Sequence, residues 1–540
     1  MKYGEKGFSS VKNTAPIVKT GNGLIRGFCR NQNAVFLGIP YGDRCDGEFR
    51  FKEAQPARDW DGVRDCTKYG AIAMQDVMDL DLLPEPVRKV VQDYADVFTG
   101  GIPFDKKQEK PNENCLHLNV VTPGIDHKKR PVLVYIHGGG YMSGSGGVTA
   151  AICDRLIDEE DLVVVTVNHR LNAFGSLYLG DLDAEYAESG IVTQLDLVLA
   201  LKWIQKNIGG FGGDPDSVTL IGESGGGMKI HHLLSMPECK ELFHRAIIIS
   251  GSIPAAAKTK QKGTAETLAV LEKLGMPKED WRKLLTIPAQ ELLAATRGLE
   301  LIQPNSTPFM PTADGIRMPV NETGGFRICQ EMAHIPLIIG SSEEEIATNV
   351  LNPMLTWDGL RDVLLKRENP LLQVVSGITE ENVDEVIRIF REKDDIKAPW
   401  QILGQIVSTA HFLGGGSYLA AMAREREGCK VWHYTTTFDT PVPGAGVLSC
   451  AWHTADLPLA FRAVYHAHAE DLSKTIAHSF AAFARTGNPN TAENPWKPFT
   501  VDHKETMLFE LTPVCVNDPY RDIYHILSSM SPTFKGGFAV

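Results

Sequence analysis

An α/β fold, with a mostly parallel central sheet flanked by helices, is predicted for this chain by three observations. Short β-branched runs recur at Pro131-Ile136, Leu162-Val167, Val218-Ile221, Ala246-Ile249, Pro336-Ile339 and Val431-Thr437, each leading into a loop and then a helix-like segment. Strands that alternate with helices form parallel sheets covered on both faces. Two of the runs end in glycine-rich loops, at 137–140 and 222–227, and the strand ends of open α/β sheets are where catalytic loops sit. No internal repeat or low-complexity tract interrupts the pattern.

In chain order, the runs at 131–136 and 162–167 are strand-sized and apolar throughout, as buried parallel strands are. From Ile191 to Ile208 apolar residues fall at 195, 198, 199, 201, 203, 204 and 208, a helical spacing that stops at Gly209-Gly210. Phe211-Gly-Gly-Asp-Pro-Asp216 then predicts a turn before the strand at 218–221. Residues 255–335 and 350–430 are rich in helix formers with charge on alternating turns, which predicts helical insertions on the sheet's carboxyl edge.

Composition narrows the class. Lys and Arg number 54 against 67 Asp and Glu, a formal charge of −13. A chain that is 43% hydrophobic and 22% charged is ordinary globular material. Its negative sign argues against nucleic acid as a partner, because backbone binding rests on Lys and Arg neutralising phosphates. No apolar run approaches the roughly 18 to 20 residues of a membrane span, so no membrane partner is expected. The N-terminal MKYGEKGFSSVKNTAP lacks the apolar stretch of a secretory signal, and TFKGGFAV at the other end carries no lipidation or retention signal. A cytoplasmic location is the expectation. The ten cysteines form no CxxC pair and no zinc-spaced cluster, so free thiols and no metal are expected. Asn305-Ser306-Thr307 and Asn321-Glu322-Thr323 match the glycosylation acceptor but carry little weight without a signal.

The chemistry lies at the two glycine-rich strand ends. Gly222-Glu223-Ser224-Gly225-Gly226 fits GxSxG, a pattern this composition produces by chance about 0.2 times in 540 residues. Its context raises its value: a strand precedes it and a helix can follow, so Ser224 would sit on a sharp turn with its hydroxyl outward. A serine hydroxyl needs a base to take its proton and donors to hold the developing oxyanion. His137-Gly138-Gly139-Gly140 follows the strand ending at Ile136 and matches the glycine loop whose bare amides serve that purpose. The amides of Gly139, Gly140 and Gly225 are the candidate oxyanion hole.

With these residues in view, the sequence resembles the type B carboxylesterase/cholinesterase family of α/β-hydrolases over nearly its whole length. The resemblance rests on Ile39-Pro40-Tyr41 through Phe51, Glu113-Asn114-Cys115-Leu116-His117-Leu118-Asn119, 137–140, Asn168-His-Arg-Leu171, Ala200-Leu201-Lys202-Trp203, Asn207 through Pro215, 222–226, Phe243 through Ser252, and Asp314-Gly315. It implies one catalytic domain over 1–540 rather than the three or four that length alone suggests, with insertions at about 76–112, 255–335 and 350–430 around an active-site gorge. It further implies a Ser-Glu-His triad: Glu345, ending Gly340-Ser-Ser-Glu-Glu-Glu345, as the acid with Glu343 and Glu344 solvated, and His453, in Ala451-Trp-His-Thr-Ala-Asp-Leu-Pro458, as the base. Ser250 and Glu223 are implied supporting residues, and Arg50 with Glu113 a buried ion pair. The implied activity is hydrolysis of small carboxylic esters through an acyl-enzyme, with no cofactor, by a monomer or small homo-oligomer. A lipase, thioesterase, carbamate hydrolase or amidase shares that machinery, and a catalytically silent binding protein is the alternative from another class.

Departures from the family pattern carry their own expectations. Gly225 replaces the usual Ala, which leaves the amide but loosens the backbone. Ile346 and Thr454 replace glycines after the acid and the base. The usual disulfide partner of Cys115 falls near Ala73, so that bridge is expected to be absent. The segment from Asp76 to Asn112 is a charged insertion with an amphipathic helix predicted over Pro84 to Phe98, placed at the gorge mouth. Tyr141 and Trp452 adjoin the catalytic elements and are candidates to line the pocket.

Overall fold

The computed structural model describes residues 15–77, 83–252, 257–299, 309–319, 328–393, 396–446 and 448–523. Both chain termini and the two glycosylation acceptor motifs lie outside the described residues.

All six predicted strands lie side by side in one mixed sheet of eleven. In spatial order they are Val163–Val167, Arg130–Ile136, Gly213–Glu223, Arg245–Ile249, Leu337–Ser342 and Val431–Thr436, each parallel to its neighbour, with Glu505–Phe509 extending the parallel set. Antiparallel strands finish both edges. Val514–Asn517 closes one, while His117–Thr122, Asn33–Pro40 and Phe28–Arg30 build the other. The sequence reading did not single these out. His117–Thr122 is as long as most of the parallel strands but brings no glycine-rich loop or following helix to mark it.

Alternation along each strand supplies two cores. Ala246 and Ile248 join one apolar cluster and Ile247 and Ile249 the other; Val132, Val134 and Ile136 face the first while Leu133 and Tyr135 face the second. Successive side chains of a strand point to opposite faces, so an all-apolar run needs cover on both. Helix Val192–Asn207 supplies it on one face through Leu195, Val198, Leu201 and Ile204. Helix Glu470–Thr486 does so on the other through Leu472, Ile476, Phe480 and Phe483. Each such side chain contributes about 1.5–3 kcal/mol on burial, so the sheet is a rigid platform for the loops at its edge.

The expected turn at Phe211–Asp216 is shorter than predicted. The chain reverses at Gly212 (φ 77°), and Gly213 already pairs with Arg130, so the Asp-Pro-Asp residues open the central strand instead of preceding it. Helices lie within each of the three stretches 76–112, 255–335 and 350–430. Helix Glu85–Thr99 occupies the first. Lys260–Lys273 and Ala289–Thr296, joined by the 3-10 stretch Lys278–Leu285, form the second. Trp357–Lys366, Val383–Lys393, Pro399–Ser408 and Tyr418–Arg426 form the third, with π-helical turns over Thr409–Ser417. Among the described residues no helix is long and apolar enough to cross a membrane.

Candidate active site

Ser224 sits where the central strand Gly213–Glu223 turns directly into helix Gly225–Leu233. Its backbone adopts φ 53°, ψ −123°, a conformation costing a non-glycine residue on the order of 1–3 kcal/mol. Neighbouring chain holds it there. The Ser224 amide donates to the Ile249 carbonyl at 2.8 Å, and the following turn presses so close to the next strand that a methyl group at Gly226 would come within 2.0 Å of the Ile136 carbonyl oxygen. The result is a partly exposed hydroxyl at the carboxyl end of the sheet.

His453 lies 229 positions away in sequence and 3.0 Å away in space, its Nε2 facing Ser224 Oγ. Its Nδ1 forms a short hydrogen bond to Glu345 Oε2. Glu345 is fully buried, and its other oxygen accepts from the Ser342 amide at 2.7 Å and the Ser250 hydroxyl at 2.5 Å. Serine, histidine and glutamate thus form one hydrogen-bonded chain, each held by a separate strand end.

The flanking glutamates differ from expectation: neither is solvated. Glu343 is buried and paired with Lys393, while Glu344 accepts from the Ala451 amide at 2.8 Å and lies 3.2 Å from Lys397 Nζ. Burial pushes the Glu344 carboxyl up to about 7 against the attraction of Lys397. Strand Leu337–Ser342 runs straight into these residues, so the run turns inward and Glu344 pins the chain two residues before His453.

Two further carboxyl groups face the imidazole. Glu223 Oε1 is 3.3 Å from His453 Nε2; burial, offset in part by His453, raises the Glu223 carboxyl to about 8. Asp456 accepts from the Tyr434 hydroxyl at 2.8 Å and is raised to about 6, by burial first and then by Glu345. His453 responds in the other direction. Burial disfavours its charged form, but the carboxylates of Glu345 and Glu223 outweigh that and raise it to about 9.

The glycine loop lies beside Ser224 with its peptide planes fixed. Gly139 and Gly140 take φ of 81° and 62°, the left-handed region that glycine enters freely. The Gly138 carbonyl accepts from His137 Nδ1 at 3.0 Å, with the proton assigned to that nitrogen. Burial drives the His137 imidazole down to about 3, leaving it neutral. The Gly139 carbonyl accepts from the amides of Met142 and Ser143 at 3.1 and 3.2 Å. In a trans peptide the N–H points opposite the C=O. Turning these two carbonyls inward therefore turns the Gly139 and Gly140 amides away from them, and among the described residues no acceptor takes either amide. The Gly225 amide opens the adjoining helix, where the first N–H groups have no intrahelical partner.

Tyr141 and Trp452 are core residues and do not line an accessible pocket. Tyr141 is 0% exposed, hydrogen-bonded through its hydroxyl to His232 Nδ1 at 2.6 Å and Gln194 Nε2 at 3.0 Å. Trp452, 2% exposed, packs with Val97, Trp400 and Val442 behind the His453 loop. Both adjoin catalytic elements in sequence, but their side chains take the inward side of the backbone.

Residues that sequence reasoning did not single out stand closer. Phe412, from the π-helical turns, lies 5.3 Å from the His453 ring. Tyr94 of helix Glu85–Thr99 reaches Thr454 Oγ1 at 3.2 Å and packs against Trp452, ring centres 5.5 Å apart at a tilt of 49°. Lys229 is buried under the glycine loop. A lysine five residues beyond Ser224, within GGGMKIHH, is the only signal that could have raised it. Arg50 and Glu113 form the expected buried pair, bidentate at 2.7 and 2.6 Å. All ten cysteines are free thiols. Among the described residues no group of three or more His, Cys, Asp or Glu side chains is arranged to hold a metal ion.

Such an assembly offers a hydroxyl facing a proton acceptor, a buried carboxylate behind that acceptor and unpartnered amides beside the hydroxyl. Comparison with known proteins gives the same class. The sequence profile of the carboxylesterase family matches residues 14–524. The chain is 29% identical to the para-nitrobenzyl esterase of Bacillus subtilis, over 94% of this chain and 97% of that one. It is also 29% identical to the phenmedipham hydrolase of Pseudarthrobacter oxydans, over 91% and 94% respectively. The crystal structure of a Geobacillus stearothermophilus carboxylesterase at pH 6.2 superposes with a TM-score of 0.75 at 31% identity, covering 95% of this chain and 99% of that one. This chain belongs to the carboxylesterase family, has the α/β-hydrolase fold, and is a serine carboxylesterase.

Proposed function

We propose that the protein cleaves small carboxylic esters with Ser224 as nucleophile, His453 as general base and acid, and Glu345 as the buried anion behind the imidazole. The observation that carries this reading is the continuous hydrogen-bonded path from Ser224 Oγ through both nitrogens of His453 to Glu345. As Oγ attacks the ester carbonyl, Nε2 takes its proton, and Glu345 fixes the tautomer and stabilises the imidazolium. The carbonyl oxygen becomes an oxyanion in the amides of Gly139, Gly140 and Gly225, a contribution worth about 3–4 kcal/mol per donor in comparable sites. Collapse returns the proton to the leaving alcohol and leaves an acyl group on Ser224. Water activated by the same imidazole then releases the acid.

Ser250 and Glu344 hold the carboxylate and the histidine loop in register, while Phe412 and Tyr94 supply apolar walls beside the imidazole. Those walls favour uncharged substrates with short apolar acyl or alcohol groups. We read the described residues as one catalytic domain built on the eleven-stranded sheet, with the first insertion at the mouth of the site. A carbamate is a second acyl substrate this machinery can attack, and the likeness to a phenmedipham hydrolase supports including carbamates in a substrate panel.

Ser224→Ala is the direct test. Hydrolysis of p-nitrophenyl butyrate by folded Ser224→Ala should fall at least about 10³-fold. Retention of more than a few per cent of the wild-type rate would remove Ser224 from this role.

A further inference from the structure

Beneath the glycine loop lies a cation that the ester-cleaving machinery as described does not use. Lys229 is 0% exposed on helix Gly225–Leu233, and its ammonium donates to the Gly140 carbonyl at 2.9 Å and the His137 carbonyl at 3.2 Å. It also lies 5.1 Å from the centre of the Tyr141 ring. A buried ammonium is costly unless its partners need it. Burial, countered in part by Glu223, brings Lys229 down to about 7.

The two carbonyls it holds are informative. They bracket the loop, since the two intervening carbonyls, of Gly138 and Gly139, are already taken by His137 Nδ1 and by the Met142 and Ser143 amides. With Lys229 bound, all four peptide planes from His137 to Gly140 are fixed. One side chain therefore locks both ends of the segment that presents the Gly139 and Gly140 amides.

Position 225 shows why the loop can reach this lysine. Residues 225 and 229 are one helical turn apart and share a face. A methyl group at 225 would come within 2.2 Å of the Gly140 carbonyl oxygen and 2.5 Å of its Cα and nitrogen. The bare glycine allows the loop to settle on the helix, and the lysine one turn later receives it. Gly225 therefore seats the loop more than it loosens the backbone.

We propose that Lys229 is a positioning residue for catalysis: its buried side-chain nitrogen, donating to the carbonyls at both ends of the His137–Gly140 loop, clamps the segment that presents the oxyanion-binding amides. This inference rests on the esterase reading above. A fixed donor array is most valuable where charge develops, so losing the clamp weakens binding of the oxyanion more than that of the neutral ester.

The test uses Lys229→Met, which keeps the length and removes the charge and the donors. On p-nitrophenyl butyrate kcat should fall about 10- to 100-fold while KM stays within about threefold. The inhibition constant of an alkyl trifluoromethyl ketone, which forms an oxyanionic hemiketal on serine, should rise by a similar factor, while that of the matching unreactive alcohol stays unchanged. A purely structural role would weaken both inhibitors together and lower the thermal midpoint, whereas a buried charge replaced by an apolar isostere often leaves stability intact. Folded Lys229→Met with kcat within twofold of wild type, or equal loss for ketone and alcohol, would overturn the proposal. If Lys229→Met is not recovered folded, Lys229→Gln carries the same measurements and the same criteria, with a smaller expected loss because an amide restores one donor. Wild-type protein that neither hydrolyses the ester nor takes a fluorophosphonate on Ser224 would sink the esterase reading itself; active wild type alongside an equally active Lys229 variant would sink only the clamp.

Discussion

At the scale of single residues, the proposed nucleophile is legible because its motif is local, whereas the proposed acid and base are not. GxSxG and the glycine loop state their geometry within a few residues of one strand end. Glu345 and His453 are separated from Ser224 by 121 and 229 positions, and the insertions between them hide the pairing from any local pattern. Only the family resemblance placed them. The same limit explains Glu343 and Glu344: three consecutive glutamates read as a solvated run, yet the strand feeding them points inward and each finds a lysine. Packing around His453 also sets its pH response. Glu223 holds a carboxyl 3.3 Å from Nε2 and favours the imidazolium. On the proposed mechanism the base works only when neutral, so activity should rise with pH as His453 loses its proton. Glu223→Gln removes one cause of the raised value, and the acid limb of kcat/KM should move to lower pH by up to about one unit. An unchanged or upward-shifted limb would show that Glu223 does not act on the base.

At the scale of elements, the parallel strands were readable and the antiparallel ones were not: His117–Thr122 and Asn33–Pro40 are nearly as buried as the parallel strands, but no α-helix follows them to mark a strand–loop–helix unit. The insertions were readable as helical but not in their anchorage. Arg50 supplies part of that anchorage: besides its bidentate pair with Glu113, its guanidinium donates to the carbonyls of Leu284 and Ile287 in the second insertion. Truncating one partner of a buried pair leaves the other charge uncompensated. Arg50→Ala should therefore cost about 3–5 kcal/mol in urea unfolding and raise amide exchange across 278–296 more than across the central strands. A loss below about 1 kcal/mol would mean that the insertion is held by its apolar contacts alone.

For the whole molecule, length and composition bear on different questions. Length at about 150 residues per domain suggests three or four domains, and the reading proposed above is one; among the described residues the largest sheet has eleven strands, with helices in the connections between them. The charge of −13 bears on solubility and carries no information about the substrate. Selection of one hydroxyl, however, depends on the entire fold, because strand ends far apart in sequence must converge on it. The most direct measurement is therefore made on the intact chain: treatment with a fluorophosphonate, followed by intact mass and peptide mapping. Of the 23 serines, Ser224 alone should carry the adduct, one phosphonyl group per chain, with none in Ser224→Ala. Adduct on a different peptide, or undiminished labelling of Ser224→Ala, would contradict the assignment of this site.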